Sequence, residues 1–212
     1  MQLTVQDGLT LTSKIAIFSY LIIAVNILVF IRSITNPESY NTLIATYGLI
    51  PTQIMSGNNL PSLVTSMFLH ADLIHLGLNM LFLLLSGDAV ERELGNLKFL
   101  GLYFTCGIIA GLFHAYLNSS SSIPTIGASG AIFGILAAFA ILFPFRWVLK
   151  LFGFIPLPLP AIIFVFITIL TETAYASLGI VENVAHTAHV GGFLAGFFLT
   201  LTIIPKKRKP EE

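Results

Sequence analysis

A serine between glycines interrupts the apolar segment "TIGASGAIFGILAAF", residues 125–139. Ser129 is a candidate nucleophile, because a hydroxyl activated by an adjacent base can attack a carbonyl carbon. The segment "NVAHTAHVGGFLAG" contains two candidate bases, His186 and His189. Imidazole can take the serine proton during attack and return it to the leaving amine. A serine and a histidine held together would therefore support acyl transfer.

A third polar group lies in "FLHADLIHLGLNM", which contains His70, His75 and Asn79. His75 and Asn79 are four residues apart, so they share one face of a helix. Acyl transfer requires hydrogen-bond donors for the developing oxyanion. The His75 ring, the Asn79 amide and a backbone N–H near Ser129 are the candidate donors.

The composition of the chain is unusually apolar, and it indicates which kind of element must position these residues. The chain has 212 residues, of which 56% are hydrophobic and 9% are charged, whereas soluble domains contain about 25% charged residues. This composition predicts a membrane protein with one bundle. The zero net charge gives no indication of nucleic-acid binding, and a single cysteine excludes a disulfide framework or a cysteine-rich metal site.

Six apolar segments approach the roughly 20 residues that span a membrane, and helices satisfy their backbone groups in lipid. The predicted spans are residues 15–31, 67–85, 99–117, 124–143, 159–177 and 184–204. The sequence thus predicts an all-α, polytopic membrane domain over residues 15–204, with short segments 1–14 and 205–212 on either side.

Basic residues predict the orientation of this bundle. With the N-terminus in the cytoplasm, nine of the ten Lys and Arg residues face inward and only Arg32 faces outward. Both termini are then cytoplasmic, and a cell (plasma or inner) membrane is the simplest location. One long connection, about residues 33–66, lies outside, and its apolar content predicts that it packs on the bundle or dips into the outer leaflet.

The second, fourth and sixth spans all run from outside to inside in this topology. Ser129 and His189 each lie five residues past the predicted start of their span. At 1.5 Å per residue, both are about 8 Å below the outer end.

Glycine pairs predict that the fourth and sixth spans touch. Gly130 and Gly134 form one small-xxx-small pair, and Gly192 and Gly196 form another, a pattern that lets helix backbones approach closely. Each pair lies near one of the two candidate residues, Ser129 and His189. Since the sixth span has no carboxylate at that depth, the expected unit is a serine–histidine dyad without an acid.

This constellation resembles the rhomboid family of intramembrane serine proteases over about residues 47–196. "GASG" is similar to the family's nucleophile motif, and "AHVGG" to its histidine motif, which selects His189 over His186. "HLGLN" is similar to its His-x-x-x-Asn motif. The remaining matches are Gly127 in "GASG", Phe133 at a position where members often have an aromatic ring on the histidine, and Gly87, Glu91, Gly95 and Tyr103 in "GDAVERELG" and "FLGLY".

The resemblance implies a six-helix rhomboid-like bundle that cleaves transmembrane protein substrates at or just inside the outer face. It implies Ser129 and His189 as the catalytic dyad and His75 and Asn79 as oxyanion-hole residues, with no metal or other cofactor. The alternatives are an inactive rhomboid-like protein that binds membrane clients and a transporter. A transporter is disfavoured because polar residues stop in the outer third of the spans, whereas a pathway needs polar lining on both sides.

Three further features concern the fifth span, the segment after it and the first outer loop. Glu172, in the fifth span, is interpreted either as a carboxylate that snorkels to the surface or as part of a substrate gate, and Glu172→Ala is expected to leave Ser129 reactive. Residues 179–183 are expected to form a lid. The first outer loop lacks the Trp-Arg pair of many members, since the only tryptophan, Trp147, lies on the inner side.

Overall fold

The computed structural model describes residues 15–35, 37–152, 155–178 and 184–204. The predicted cytoplasmic segments 1–14 and 205–212 and the predicted lid, residues 179–183, lie outside the described residues. Most of the described chain is helical, which confirms the prediction of an all-α membrane protein.

In chain order the helices are α1 (Ile17–Ile34), α2 (Pro37–Tyr47), α3 (Pro51–Met55), α4 (Ser62–Thr65), α5 (Leu73–Phe82), α6 (Asp88–Leu94), α7 (Asn96–Leu117), α8 (Ser129–Leu142), α9 (Ala161–Leu178) and α10 (His186–Ile203). A 3₁₀ turn, Ser66–Phe68, follows α4. A π-helical turn, Leu83–Gly87, joins α5 to α6. Two strands, β1 (Trp147–Phe152) and β2 (Ile155–Pro160), lie between α8 and α9.

Five helices of the described chain are long and apolar enough to cross a membrane: α1, the continuous α5–α6 helix, α7, α9 and α10. The remaining predicted span, the fourth, corresponds to α8, which has 14 residues and begins at Ser129 rather than at residue 124. The preceding segment is not helical because it pairs elsewhere: Thr125 and Leu49 exchange backbone hydrogen bonds of 2.7 and 3.0 Å. Ser129 is therefore the first residue of its helix.

The second span also begins later than expected. Asp72 is the N-cap of α5, and its carboxylate accepts the backbone N–H of His75 at 2.8 Å. An N-cap acceptor satisfies one of the free N–H groups at a helix start, so the helix begins at Leu73 instead of residue 67. It then continues through the π-helical turn to Leu94.

Helix α8 is the centre of the bundle. Ten of its 14 residues are buried, and it packs most extensively on α10 and then on α7. A helix of 14 residues is about 21 Å long, whereas the hydrocarbon core of a bilayer is about 30 Å thick. At least one end of α8 therefore lies below a membrane surface.

The connection between α1 and α5 packs on the Ser129 end of the bundle. Leu49, Ile54 and Leu63 form an apolar cluster with Ala115 of α7. The N–H of Gly127 donates to the Ser66 carbonyl at 2.9 Å. These contacts hold the segment that leads into Ser129.

The opposite end of the bundle contains an antiparallel hairpin that the sequence did not predict. Its strands pair from Trp147 with Pro160 to Phe152 with Ile155. Proline at every second position of β2 is compatible with this pairing, because alternate N–H groups of a strand with one partner point away from it.

At this same end, a buried carboxylate joins the first two spans. Glu91 is fully buried and accepts the N–H groups of Phe18 and Ser19 at 2.8 and 2.7 Å, together with the Ser19 hydroxyl at 2.7 Å. It thus caps the start of α1. Gly95, with a φ of 88°, makes the turn from α6 to α7, a conformation that favours glycine.

Candidate active site

The structure places Ser129 and His189 in direct contact. Ser129 Oγ lies 2.8 Å from Nε2 of His189, within the range of a hydrogen bond between these atoms. Ser129 is the first residue of α8, and His189 is in the first turn of α10, where it is 8% exposed. The two groups meet at the ends of two neighbouring helices.

Glycine faces bring these helices together. A Cβ atom added at Gly192 would overlap the carbonyl oxygen of Gly130, and one added at Gly196 would overlap that of Gly134. Backbone thus touches backbone at two successive turns. The predicted contact between the two glycine pairs is present, and it fixes the distance between Ser129 and its histidine.

The imidazole of His189 is held on three sides. The ring of Phe133 stacks on it with a centroid distance of 4.4 Å and an interplanar angle of 7°. Its Nδ1 atom lies 2.6 Å from Oε2 of Glu172 on α9. A carboxylate only accepts hydrogen bonds, so Nδ1 donates, and Nε2 of the neutral ring is left to accept the Ser129 hydroxyl.

The other candidate base, His186, does not contact Ser129. Its Nδ1 atom also lies 2.6 Å from Oε2 of Glu172, and its ring meets Tyr175 edge-on at 5.4 Å. His186 is buried. The geometry therefore assigns His189, and not His186, to the hydroxyl.

Of the two predicted oxyanion residues, His75 lies beside the serine, across Gly127. A Cβ at Gly127 would be 2.8 Å from Nε2 of His75 and 3.7 Å from Ser129 Oγ, and the φ of Gly127 is 123°. Asn79 donates from Nδ2 to the His75 carbonyl at 2.9 Å, which leaves its second amide N–H unused by that bond.

The first turn of α8 is itself a source of donors. The first N–H groups of a helix have no partner within the helix, and they make its N-terminus partly positive. Ser129 is at that N-terminus, with His75 on the other side of Gly127. The site thus contains a hydroxyl, an imidazole and several donors around one small volume.

His114, on α7, links α10 to the loop before Ser129. Its Nδ1 lies 2.6 Å from Thr187 Oγ1 on α10, and its Nε2 lies 2.9 Å from Thr125 Oγ1. The sequence alone suggests only an interfacial histidine at this position. Its partners are 11 and 73 residues away along the chain, and no local pattern indicates them.

The sequence alone does not reveal that Glu172 contacts His189. The sixth span, residues 184–204, contains no acidic residue, and the carboxylate comes from the fifth span instead. The sequence contains one indication of a contact, because Glu172 is an ionisable residue inside a predicted span and such a residue is expected to have a partner. A possible metal-ligating atom from each of Glu172, His186 and His189 lies within 4.8 Å of the other two, so these three groups are also candidate metal ligands among the described residues.

The fold and the site define a polytopic helical membrane protein with a serine–histidine pair held between two closely packed helices. Residues 57–206, more than half of the chain, match the Rhomboid domain. The chain belongs to the rhomboid family.

Similar proteins include the Rhomboid protease GluP of Bacillus subtilis (strain 168), which is 33% identical over 193 residues that cover 89% of this chain and 35% of GluP. Rhomboid protein 1, mitochondrial, of Saccharomyces cerevisiae (strain ATCC 204508 / S288c) is 34% identical over 142 residues, 64% of this chain and 39% of that protein. The Rhomboid protease AarA of Providencia stuartii is 33% identical over 159 residues, 66% of this chain and 54% of AarA. The chain thus spans from about a third to about half of the length of these relatives.

Proposed function

We propose that the chain is an intramembrane serine endopeptidase that cleaves transmembrane protein substrates. The observation that carries the proposal is the 2.8 Å contact between Ser129 Oγ and His189 Nε2. Membership of the rhomboid family, which includes the named proteases GluP and AarA, supports it.

The chemistry follows from the protonation pattern of the site. As Ser129 Oγ attacks the scissile carbonyl carbon, its proton passes to Nε2 of His189. The imidazolium then returns that proton to the leaving amine, and water later cleaves the acyl-enzyme ester by the reverse sequence. No metal or other cofactor takes part in these steps.

Three kinds of donor are proposed to stabilise the oxyanion that forms at Ser129. These are the His75 ring, the free amide N–H of Asn79 and the backbone N–H groups of the first turn of α8. Removal of one such donor costs about 100- to 1000-fold in rate. The space between His75 and Ser129 is open because Gly127 has no side chain, and a Cβ there would meet the His75 ring.

The short α8 supports cleavage near one membrane surface. Since this helix is about 9 Å shorter than the hydrocarbon core, Ser129 at its N-terminus would lie below the surface, where water and an unwound substrate segment can meet. The excess of basic residues on the other side supports an outward-facing Ser129 end, with both termini in the cytoplasm and the bundle in a cell (plasma or inner) membrane.

The function is tested by purification of the wild type, Ser129→Ala, His189→Ala and Ser86→Ala in detergent, followed by reaction with a fluorophosphonate and with a model transmembrane substrate. Ser86 is a matched control, since it is a buried helical serine whose hydroxyl donates to the Phe82 carbonyl at 2.6 Å. We expect labelling and cleavage in the wild type and Ser86→Ala, and neither in the other two.

Two outcomes would contradict the proposal. Equal labelling of the wild type and Ser129→Ala would show that Ser129 is not the nucleophile. Absence of labelling and cleavage in a folded wild type would instead favour the inactive, client-binding alternative.

A further inference from the structure

We propose that Glu172 is a positioning residue that completes a Ser129–His189–Glu172 triad. The inference rests on the peptidase function proposed above and adds a third group to its dyad. It gives Glu172 a part in positioning His189, whereas the sequence suggested a snorkelling or a gating role.

The first argument is the tautomer of His189. The carboxylate of Glu172 lies 2.6 Å from Nδ1, and the Ser129 hydroxyl lies 2.8 Å from Nε2. Because the carboxylate accepts, it keeps the ring proton on Nδ1 and the lone pair on Nε2. The opposite tautomer would present an N–H to Ser129, and such a ring is unable to remove the hydroxyl proton.

The second argument is the charge that develops during the reaction. When Nε2 takes the serine proton, the ring becomes an imidazolium in a site surrounded by apolar helices. The Glu172 side chain is 17% exposed and the His189 side chain 10%, so solvent screens their interaction less than at a surface. A carboxylate on Nδ1 therefore stabilises the protonated ring where water does so poorly.

The third argument is that the carboxylate is itself fixed. His186 donates from Nδ1 to the same oxygen, Oε2, at 2.6 Å. The two donors are three residues apart in the first turn of α10, and Glu172 belongs to α9. Oε2 is thus anchored to the helix that contains His189, so its position relative to the ring is set by two hydrogen bonds rather than one.

The proton balance of the proposed triad is simple. One proton moves from Ser129 Oγ to His189 Nε2 as the Oγ–carbon bond forms, and it leaves on the substrate amine as the peptide bond breaks. The Nδ1 proton stays on His189 throughout, and Glu172 remains a carboxylate.

The test is Glu172→Gln, which keeps the shape of the side chain and an acceptor oxygen but removes the charge. The control is Thr173→Val on the neighbouring, exposed position of α9, where the Thr173 hydroxyl bonds only its own helix at Ile169. Cleavage of a model transmembrane substrate is measured over a range of substrate concentrations, with thermal unfolding of each variant in the same detergent.

We expect Glu172→Gln to lower kcat by about 10- to 100-fold, the equivalent of one hydrogen bond to a charged group, with KM and the unfolding temperature close to wild type. Glu172→Ala should lower kcat further and slow fluorophosphonate labelling, which replaces the expectation from the sequence that labelling is unaffected. Thr173→Val should match the wild type.

Two results would overturn the triad. One is a wild-type kcat in Glu172→Gln. The other is a loss of kcat that follows a matching loss of thermal stability, since that would indicate a structural role. If Ser129→Ala is also inactive, the proposed peptidase function survives either result, whereas an active Ser129→Ala would remove that function itself.

Discussion

The close contact of α8 and α10 predicts how far the two helices must separate when Gly192 or Gly196 is replaced by alanine. In Gly192→Ala the new Cβ would overlap the Gly130 carbonyl oxygen and lie 2.8 Å from its carbon. In Gly196→Ala it would overlap the Gly134 carbonyl oxygen and lie 2.5 Å from its Cα. Carbon atoms in contact are normally about 3.5–4.0 Å apart, so the helices must separate by about 1 Å.

The separation affects both stability and activity. Overpacking of this kind costs about 1–3 kcal/mol, although alanine alone is favoured over glycine in a helix by up to about 1 kcal/mol. A shift of 1 Å would also take Ser129 Oγ out of hydrogen-bond range of His189, and a misplacement of that size costs about 100-fold in rate. Both variants should therefore be less stable and label more slowly than wild type.

Gly101→Ala is the matched control. Gly101 lies on the exposed face of α7, and a Cβ there would have nothing within 4 Å. The same change should leave labelling unaltered and raise stability by up to about 1 kcal/mol. The measurements are unfolding in detergent and the rate of fluorophosphonate labelling. If Gly192→Ala behaves like Gly101→Ala in both, the backbone contact does not hold the site together.

Three other predictions concern groups around the site and the bundle. Glu91→Gln should lower the free energy of unfolding by about 1.5–3 kcal/mol, because both carboxylate oxygens accept hydrogen bonds and an amide would turn its NH₂ group toward one of these donors, whereas Glu93→Gln at the exposed neighbour should not. Gly127→Ala should slow fluorophosphonate labelling at least tenfold, because its Cβ would meet His75 at 2.8 Å, and a fully active variant would exclude this crowding. Burial lowers the pKa of His70 to about 4. In the unfolded chain the pKa of this histidine is near 6.5, so the free energy of unfolding should fall by up to about 1.4 kcal/mol for each pH unit as the pH decreases from 6.5 toward 4. In unfolding measurements on His70→Gln, the free energy of unfolding should depend less steeply on pH over this range.

The sequence predicts the parts of the fold that depend on local pattern. Apolar length indicates each membrane helix, and the spacing of Gly192 and Gly196 indicates which face of α10 meets α8. The same reasoning places Ser129 beside His189, because each is adjacent to a glycine face. These features depend on helix period and residue size, which a single sequence displays directly.

The features that were missed depend on contacts between distant segments. Helix α8 begins at Ser129 because Thr125 pairs with Leu49, which no pattern around residue 125 reveals. The carboxylate on His189 comes from another helix, and its direction depends on the rotation of α9 about its own axis. That rotation is set by tertiary packing and not by the apolar composition of α9.

The attachment of α9 bears on the proposed triad, because α9 contains Glu172. Only 17% of this helix is buried, against 44% of α10, so α9 is held to the bundle over a small surface. The hydrogen bonds from His186 and His189 to Glu172 cross that surface and help to hold α9 against α10. If α9 moves aside to admit a substrate helix, the carboxylate leaves His189 with it. A substrate gate at α9 and a complete triad would then be compatible only if α9 has returned to α10 when the peptide bond is cut. In that case the Glu172 carboxylate would couple closure of the gate to the reaction.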